Sequence, residues 1–453
     1  MLTTKPRSLW PARIGWPRRE DQILPALTGI SPMPLPYVRG RSRFTLSPLY
    51  LTLDQLLFLI AAALLAFGLV MVQSADARIS APSDQWWLKP FATKNMAHAG
   101  AALLTLLIVW RFDYRKLLGP NIFRSPATYL VLITFLLLLA VLGTPLGRVV
   151  NGAKRWLEIP GIHMGFQPSE LAKLGLVLFI SAYALHQEVL LRRLWRGFLP
   201  LVAAFGVVLV LILKEDFGTT VLIATVCFIL LLMAGCKWWH LLLLLPPAGM
   251  GAYLMLSDPF RVARLVAFLD PMADPKGAGY HPLQSLLTIV SGGFWGRGLG
   301  NGIQKMGYLP EDNTDFIFAV VCEELGFFGA FMIIALFFVF VLVGWRIMSR
   351  CNNLFGKMIA FGITALIGLQ AAMNIAVVTV SMPTKGIALP LISSGGTGWI
   401  MTAMAIGVLM SIERINRQDE EALHRTNEPT PAQPMGFEVV LPKTPQPQPS
   451  KTL

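Results

Sequence analysis

Five carboxylates stand within nineteen residues: "YLPEDNTDFIFAVVCEELG", 308–326, holds Glu311, Asp312, Asp315, Glu323 and Glu324. The uncharged run "FFGAFMIIALFFVFVLVGW" follows at once. A carboxylate in such a place has two physical uses. At a helix start it interacts favourably with the positive end of the dipole, by roughly 0.3–1 kcal/mol. In a cleft it can take a proton from a hydroxyl as a general base. Thr314 reads as an N-cap, which puts Asp315 in the first turn of an apolar helix, and spacing alone favours the structural use. Glu323 and Glu324 lie about two turns deeper. Adjacent helical residues point about 100° apart, so the two cannot both line one narrow cavity. One charge near mid-span costs roughly 2.5–3.5 kcal/mol on insertion scales. At least one of the pair is therefore expected to meet a cation or to be protonated.

Three other stretches carry chemistry-bearing residues. "RVVNGAKRWLEIPGIHMGFQPSELAKLGL", 148–176, sets Arg148, Lys154 and Arg155 close to Trp156. Trp156 is either an interfacial aromatic or a stacking surface for a sugar ring beside phosphate-binding cations. "QPSE" suits a helix start, with Pro168 in the first turn and Glu170 at the positive end of the dipole. Glu170 and Lys173 then share a face as an ion pair, or line a water-filled cavity inside a span. "LKEDFGTTV", 213–221, reads as a solvated hairpin tip. "SMPTKGIALPLISSGGTGW", 381–399, interrupts two apolar runs with prolines, glycines and a lone cation, Lys385. Arg261 and Arg264 are three apart and present one basic face. "SGGFWGRGLGNG" lacks the "GK[ST]" of a P-loop; such backbone at membrane depth fits a re-entrant segment lining a cavity.

The elements that must hold these residues are membrane helices. The chain is 55% hydrophobic and 14% charged, with mean hydropathy +0.60, whereas a soluble domain carries about 25% charge. The reading is an all-α polytopic membrane protein of about ten spans: 55–73, 93–110, 127–144, 168–185, 198–213, 219–235, 238–256, 315–345, 357–381 and 397–412. A large outer loop, 257–314, separates spans seven and eight. Residues 1–47 form a basic, Pro-rich arm without a signal-peptide core. Residues 48–415 form the membrane domain, and 416–453 a disordered, Pro-rich tail. Alternate loops carry Arg111, Arg115, Lys116 and Arg124, then Arg192, Arg193 and Arg196, then Arg346, Arg350 and Lys357. These fall on one side if both termini are cytoplasmic. The net charge of +13 thus reflects topology and attraction to the inner leaflet rather than nucleic-acid binding. Arg148, Lys154 and Arg155 then lie on the outer side, where cations are tolerated best if they meet an anion. Cys227, Cys236, Cys322 and Cys351 have neither metal spacing nor a disulfide framework.

The stretches "GAKRWLEI", "QPSELAK", "EDFGTT", "GGFWGRGLGNGIQKMGYLPEDNTDFIFAVVCEELG" and "MPTKGIALPLISSGG" together resemble the SEDS family (shape, elongation, division and sporulation; FtsW, RodA and SpoVE). They run in the family's order from about residue 70 to 412. The "QK…YLPE…TDFIFA" and "PTKG" forms are most similar to its FtsW-type division branch. The chain departs from the family pattern at Ser394, at Thr397–Gly398, at "KED" before "FGTT", and at Asn313. The resemblance implies a peptidoglycan glycosyltransferase that polymerises lipid II into β-1,4 glycan strands on the outer face of the bacterial inner membrane, for septal wall synthesis. It implies work beside a class B penicillin-binding protein that cross-links the strands, and beside other division proteins. Asp315 falls on the family's motif aspartate, the proposed catalytic base. Arg155, Lys173, Arg261 and Lys385, with Glu170 and Trp156, are then candidates to hold the diphosphate and sugars of lipid II and of undecaprenyl-diphosphate-linked glycan. A divalent cation, Mg or Mn, is a further candidate for sharing that charge, although no ligand cluster marks its place. Two other readings stay open. A lipid II flippase would show paired broken spans in two related halves, and no such repeat stands out. A division-complex scaffold is permitted by the two polar tails.

Overall fold

The computed structural model describes residues 51–76, 94–150, 153–158 and 165–426. The basic arm and the last residues of the tail lie outside them. Helices occupy all ten expected segments: α1 (Leu53–Asp76), α2 (Lys94–Arg111), α3 (Pro126–Gly143), α4 (Pro168–His186), then the four-residue α5 (Glu188–Leu191) and a π-turn leading into α6 (Leu199–Glu215). They continue as α7 (Phe217–Met233), α8 (Trp238–Leu242), α9 (Leu245–Leu256), α10 (Pro259–Leu269), α11 (Tyr280–Gly292), α12 (Ile317–Arg350), α13 (Leu354–Val378) and α14 (Thr397–Thr426). Among the described residues, seven helical segments are long and apolar enough to cross a membrane. The apolar α7 is shorter. The expected seventh span is broken: Pro246 and Pro247 start α9 and cannot continue α8.

The centre of the bundle is α4, which is buried on nearly every side. Apart from a few polar residues, Glu170 and Lys173 among them, it is apolar on all sides, as a helix enclosed by others is. It packs against α3, α6, α7, α13 and α14. Pro168 occupies its first turn and Glu170 follows there, as "QPSE" predicts. At one end of the bundle, charged ends of four elements are tied together. Arg417 on α14 meets Asp54 on α1 at 2.8 Å, Arg350 on α12 meets Glu420 at 3.1 Å, and Arg115 after α2 pairs with Asp419. These bonds extend α14 as a helix to Thr426, past the expected boundary at 415.

The opposite end carries what the helical reading missed, a small antiparallel sheet: β1 (Gly147–Val150), β2 (Ala153–Glu158) and β3 (Gly165–Phe166) in that order. Arg148 faces Trp156 across β1 and β2, and Leu157 faces Phe166 across β2 and β3. Alternation along β2 puts Arg155 on the same face as buried Leu157. The signal was in "RVV" and "KRWLE", which are too short to compete with the surrounding helical periodicity.

The long segment before α12 holds α10, α11 and a glycine-rich return. That return folds back against the start of α12. Its backbone wraps Glu323 and Glu324, both fully buried. Lys305 Nζ lies 2.6 Å from Glu324 Oε1, Ser74 Oγ donates to the same carboxylate at 2.7–2.8 Å, and Gly300 N donates to Oε2 at 3.1 Å. Ile303 N and Ser291 Oγ donate to Glu323 at 3.0 and 3.3 Å. Arg297 N and Gly298 N take the carbonyls of Glu323 and Glu324, both at 2.9 Å. The helix yields to this contact at Gly326, whose φ of 64° only glycine adopts freely.

Candidate active site

Asp315 does not open α12. The helix starts at Ile317, and its N-cap, Phe316, has no side-chain oxygen to offer. Thr314 makes no cap; its hydroxyl donates to Glu311 Oε2 at 2.8 Å. The cause is Glu311, whose φ of 55° turns the chain so that its carbonyl accepts from Thr314 N and Phe316 N. Asp315 therefore sits on a turn in front of the helix, partly buried. Three contacts fix that turn. Asn313 Nδ2 donates to Asp76 Oδ1 at 2.7 Å, Ser394 N donates to Asn313 O at 2.8 Å, and Asn374 Nδ2 donates to Asp315 O at 2.8 Å.

Gly386 lies beside both the acid and Arg155, and its missing side chain leaves space next to them. A Cβ on Gly386 would lie 3.1 Å from Asp315 Oδ2 and 3.4 Å from Arg155 Nη1. Arg155 reaches this point from β2, held by its Nε–H donating to Glu215 O at 2.9 Å and by Asp216 Oδ2 at 3.8 Å. Asp216 is not a solvated tip. It is buried and caps α7, accepting from Thr219 N and Thr219 Oγ1, both at 2.9 Å. Lys385, next to Gly386, lies 5.1 Å from the centre of the Phe217 ring, a cation–π contact. Burial pushes the Lys385 ammonium below its usual range, and nearby Asp216 partly restores it. Arg264 on α10 completes the group; its field and that of Arg155 pull the Asp315 carboxyl down. Desolvation outweighs them, aided by the negative charges of Glu311 and Asp216, and raises the carboxyl from 3.8 to about 7.

The other sequence candidates spread around this centre. Arg261 is on the rim, pairing with Asp258 at 3.3 Å and donating to Lys214 O at 3.4 Å. Trp156 lies on the opposite face of β2 from Arg155. Its ring covers Gly165, where a Cβ would come within 3.1 Å. Lys173 is buried one layer below, 2.7 Å from Glu170 Oε1, and donates to Gln370 Oε1 at 2.8 Å. Among the described residues, no three His, Cys, Asp or Glu side chains form a group able to hold a metal ion. Asp216 and Asp315 flank the Arg155 guanidinium, so the charges that would meet a diphosphate here are those of arginine and lysine.

Sequence reasoning read Asp216 as part of a solvated hairpin tip and gave no role to Gly386 or Asn374. "DFGT" does carry a capping signal for Asp216, and Asn374 is a lone amide in an apolar run. Gly386 ends the "PTKG" form, but nothing in sequence announces its contacts with Asp315 and Arg155.

A family model described as "Cell cycle protein", covering FtsW, RodA and SpoVE, matches residues 54–418. The chain belongs to the FtsW/RodA/SpoVE family. It is 37% identical over 369 residues to "Probable peptidoglycan glycosyltransferase FtsW" of Geobacter sp. strain M18, spanning 79% of this chain and 96% of that one. It is 35% identical to "Stage V sporulation protein E" of Bacillus subtilis strain 168, spanning 80% and 98%. The rod shape determining protein RodA of Thermus thermophilus has the same fold at TM-score 0.55, 26% identity, 80% of this chain and 97% of that one. A chain from a peptidoglycan synthase complex, solved for its coordination of polymerization and crosslinking, aligns at TM-score 0.62, 26% identity, 80% and 98% coverage. This FtsW/RodA/SpoVE chain is thus a helical, multi-pass membrane protein with the family's fold over most of its length.

Proposed function

We propose that this chain is a peptidoglycan glycosyltransferase of the FtsW type, with Asp315 as its general base and Arg155 and Lys385 as the cations that receive the leaving diphosphate. The observation that carries the reading is the convergence on Gly386 of one carboxylate and one guanidinium from distant parts of the chain. The reaction joins the 4-hydroxyl of an acceptor sugar to the anomeric carbon of a lipid-linked donor. The new C–O bond forms as the anomeric C–O(diphosphate) bond breaks. The hydroxyl proton passes to Asp315, and the electron pair leaves on the polyprenyl diphosphate. A carboxylate shifted towards neutrality is a better proton acceptor than an ordinary one. The leaving group needs positive charge rather than a proton, which arginine and lysine in a desolvated site supply. Arg261 and Arg264 add to that field, and Trp156 offers an aromatic surface at its edge.

The acid site faces the outer side of the membrane in this reading, with both termini inside. In support, Asp54 and Asp76 mark the two ends of α1, about 33 Å apart at 1.5 Å per residue. Asp54 joins the arginine-rich end and Asp76 the active-site end. The arginine-rich end fits the inner face. A class B penicillin-binding protein at the division septum is the partner proposed for cross-linking. The test is polymerisation of lipid II by the purified chain, alone and with such a partner. Transbilayer movement of lipid II without any glycan product would instead support the flippase.

A further inference from the structure

The apolar helix α13 carries two buried amides one turn apart, Gln370 and Asn374, on one face. Asn374 Nδ2 donates both to Asp315 O at 2.8 Å and to Ile387 O at 2.7 Å. Its Oδ1 is buried and has no partner among the described residues, so the amide is oriented wholly by those two carbonyls. Gln370 Nε2 donates to Ala388 O at 2.8 Å. Its Oε1 accepts from Lys173 Nζ at 2.8 Å, and Lys173 is held in turn by Glu170 at 2.7 Å. An ammonium has only donors. Lys173 therefore decides which way the Gln370 amide faces, oxygen towards α4 and NH₂ towards the 381–396 loop. Buried polar chains of this kind cost free energy unless satisfied, and here three of the five bonds end on backbone, at Asp315, Ile387 and Ala388.

We propose that Glu170, Lys173 and Gln370, with Asn374, are positioning residues that set the backbone at Gly386, beside both Asp315 and Arg155, and that Lys173 acts through Gln370 rather than on the diphosphate. The inference rests on Asp315 being the base. A misplacement of about 1 Å at a reacting centre costs on the order of 10²-fold, so loss of the relay lowers kcat and leaves substrate affinity nearly intact.

A double-mutant cycle on the full chain tests it, with kcat and KM measured for lipid II polymerisation in proteoliposomes. Lys173→Met and Gln370→Leu each lower kcat about 10–100-fold with KM within about twofold, and the double variant is no worse than the weaker single one. Multiplying effects, together with a raised KM for Lys173→Met, overturn the proposal and return Lys173 to the diphosphate. Gln370→Glu guards against misfolding. It keeps the shape and an acceptor for Lys173 but cannot donate to Ala388 O. Its kcat falls with KM within about twofold in a chain that still folds into the membrane, the unpaired Ala388 O lowering the melting temperature only modestly; wild-type kcat for Gln370→Glu overturns the relay. A failed assignment of the base is read separately, as near wild-type polymerisation by Asp315→Asn.

Discussion

Around Glu323 and Glu324 the chain supplies a lysine, serine hydroxyls and backbone N–H groups. Around Asp315, eight residues earlier, it supplies cations beside a glycine and two more acids. Both are acids of one short stretch, and both have left bulk water. The difference lies in what satisfies the charge. A buried carboxylate enclosed by donors has no capacity left for a substrate and serves the fold. A carboxylate whose field is unbalanced holds its proton weakly near neutrality and can exchange it with a ligand. Glycine works in both places in opposite senses: in the cradle it lets backbone N–H groups close on the acids, and at Gly386 it keeps a gap open.

The largest effect that tests this contrast is Asp315→Asn. The amide keeps the size and the turn but cannot accept the proton. Polymerisation of lipid II is expected to fall about 10²–10⁴-fold, the usual worth of a general base, with unchanged membrane abundance and unchanged co-purification with a class B partner. Near wild-type turnover removes the base assignment. Disappearance from the membrane would place Asp315 with Glu324 as a structural acid.

Next is Lys305→Met, which strips Glu324 of its cation. Removing one partner of a buried pair costs about 3–5 kcal/mol, so a lower melting temperature and poor membrane abundance are expected. Replacing both partners, with Glu324→Gln added, should recover much of that loss, because no lone charge remains buried. If Lys305→Met were as abundant as wild type but inactive, Glu324 would belong to the chemistry and the contrast would fail.

Gly386→Ala should act more mildly. Its φ is not left-handed, so the backbone accepts alanine. The new methyl group would meet Asp315 and Arg155 at 3.1 and 3.4 Å, which asks both to move by a few tenths of an ångström. A loss of about tenfold in kcat at unchanged stability is expected from displaced reacting groups. Unchanged kinetics would show that the separation of acid and cation is not set here.

These residues also show what was legible in sequence. Each expected apolar run fell on helix, with seven helical segments long and apolar enough to span among the described residues, and "QPSE" placed the start of α4. Asp315, Arg155 and Lys385 stood out because their motifs are specific. Glu170 and Lys173 were visible as an i,i+3 pair, but Gln370, which accepts a second bond from the lysine, lies 197 residues further along. Spacing cannot report such a partner, and so Lys173 looked free for a diphosphate. Asp216 resembled any turn aspartate until β2 brought Arg155 beside it. The first turn of α12 was misplaced because one residue, Glu311, takes a left-handed φ that its type does not announce.

The smallest effect concerns pH, and it probes the same contrast without changing a residue. The Asp315 carboxyl is raised from 3.8 to about 7, first by desolvation and then by Glu311 and Asp216, against the pull of Arg155 and Arg264. A base acts in its ionised form. About a tenth is ionised at pH 6 and about half at pH 7, so kcat should climb roughly fivefold over that unit and level off above pH 8. The residual rate of Asp315→Asn should lack this limb. Stability runs the other way. A carboxyl with a higher value folded than unfolded favours folding when protonated, so that contribution is full below about 3.8 and is lost as pH rises through about 7. Asp315→Asn, which mimics the protonated acid, should therefore melt with wild type below about pH 3.8, somewhat above it at pH 5 and further above it at pH 8. An acid limb of kcat near pH 4, or an asparagine variant less stable than wild type at pH 8, would mean that Asp315 is satisfied by its surroundings as Glu324 is.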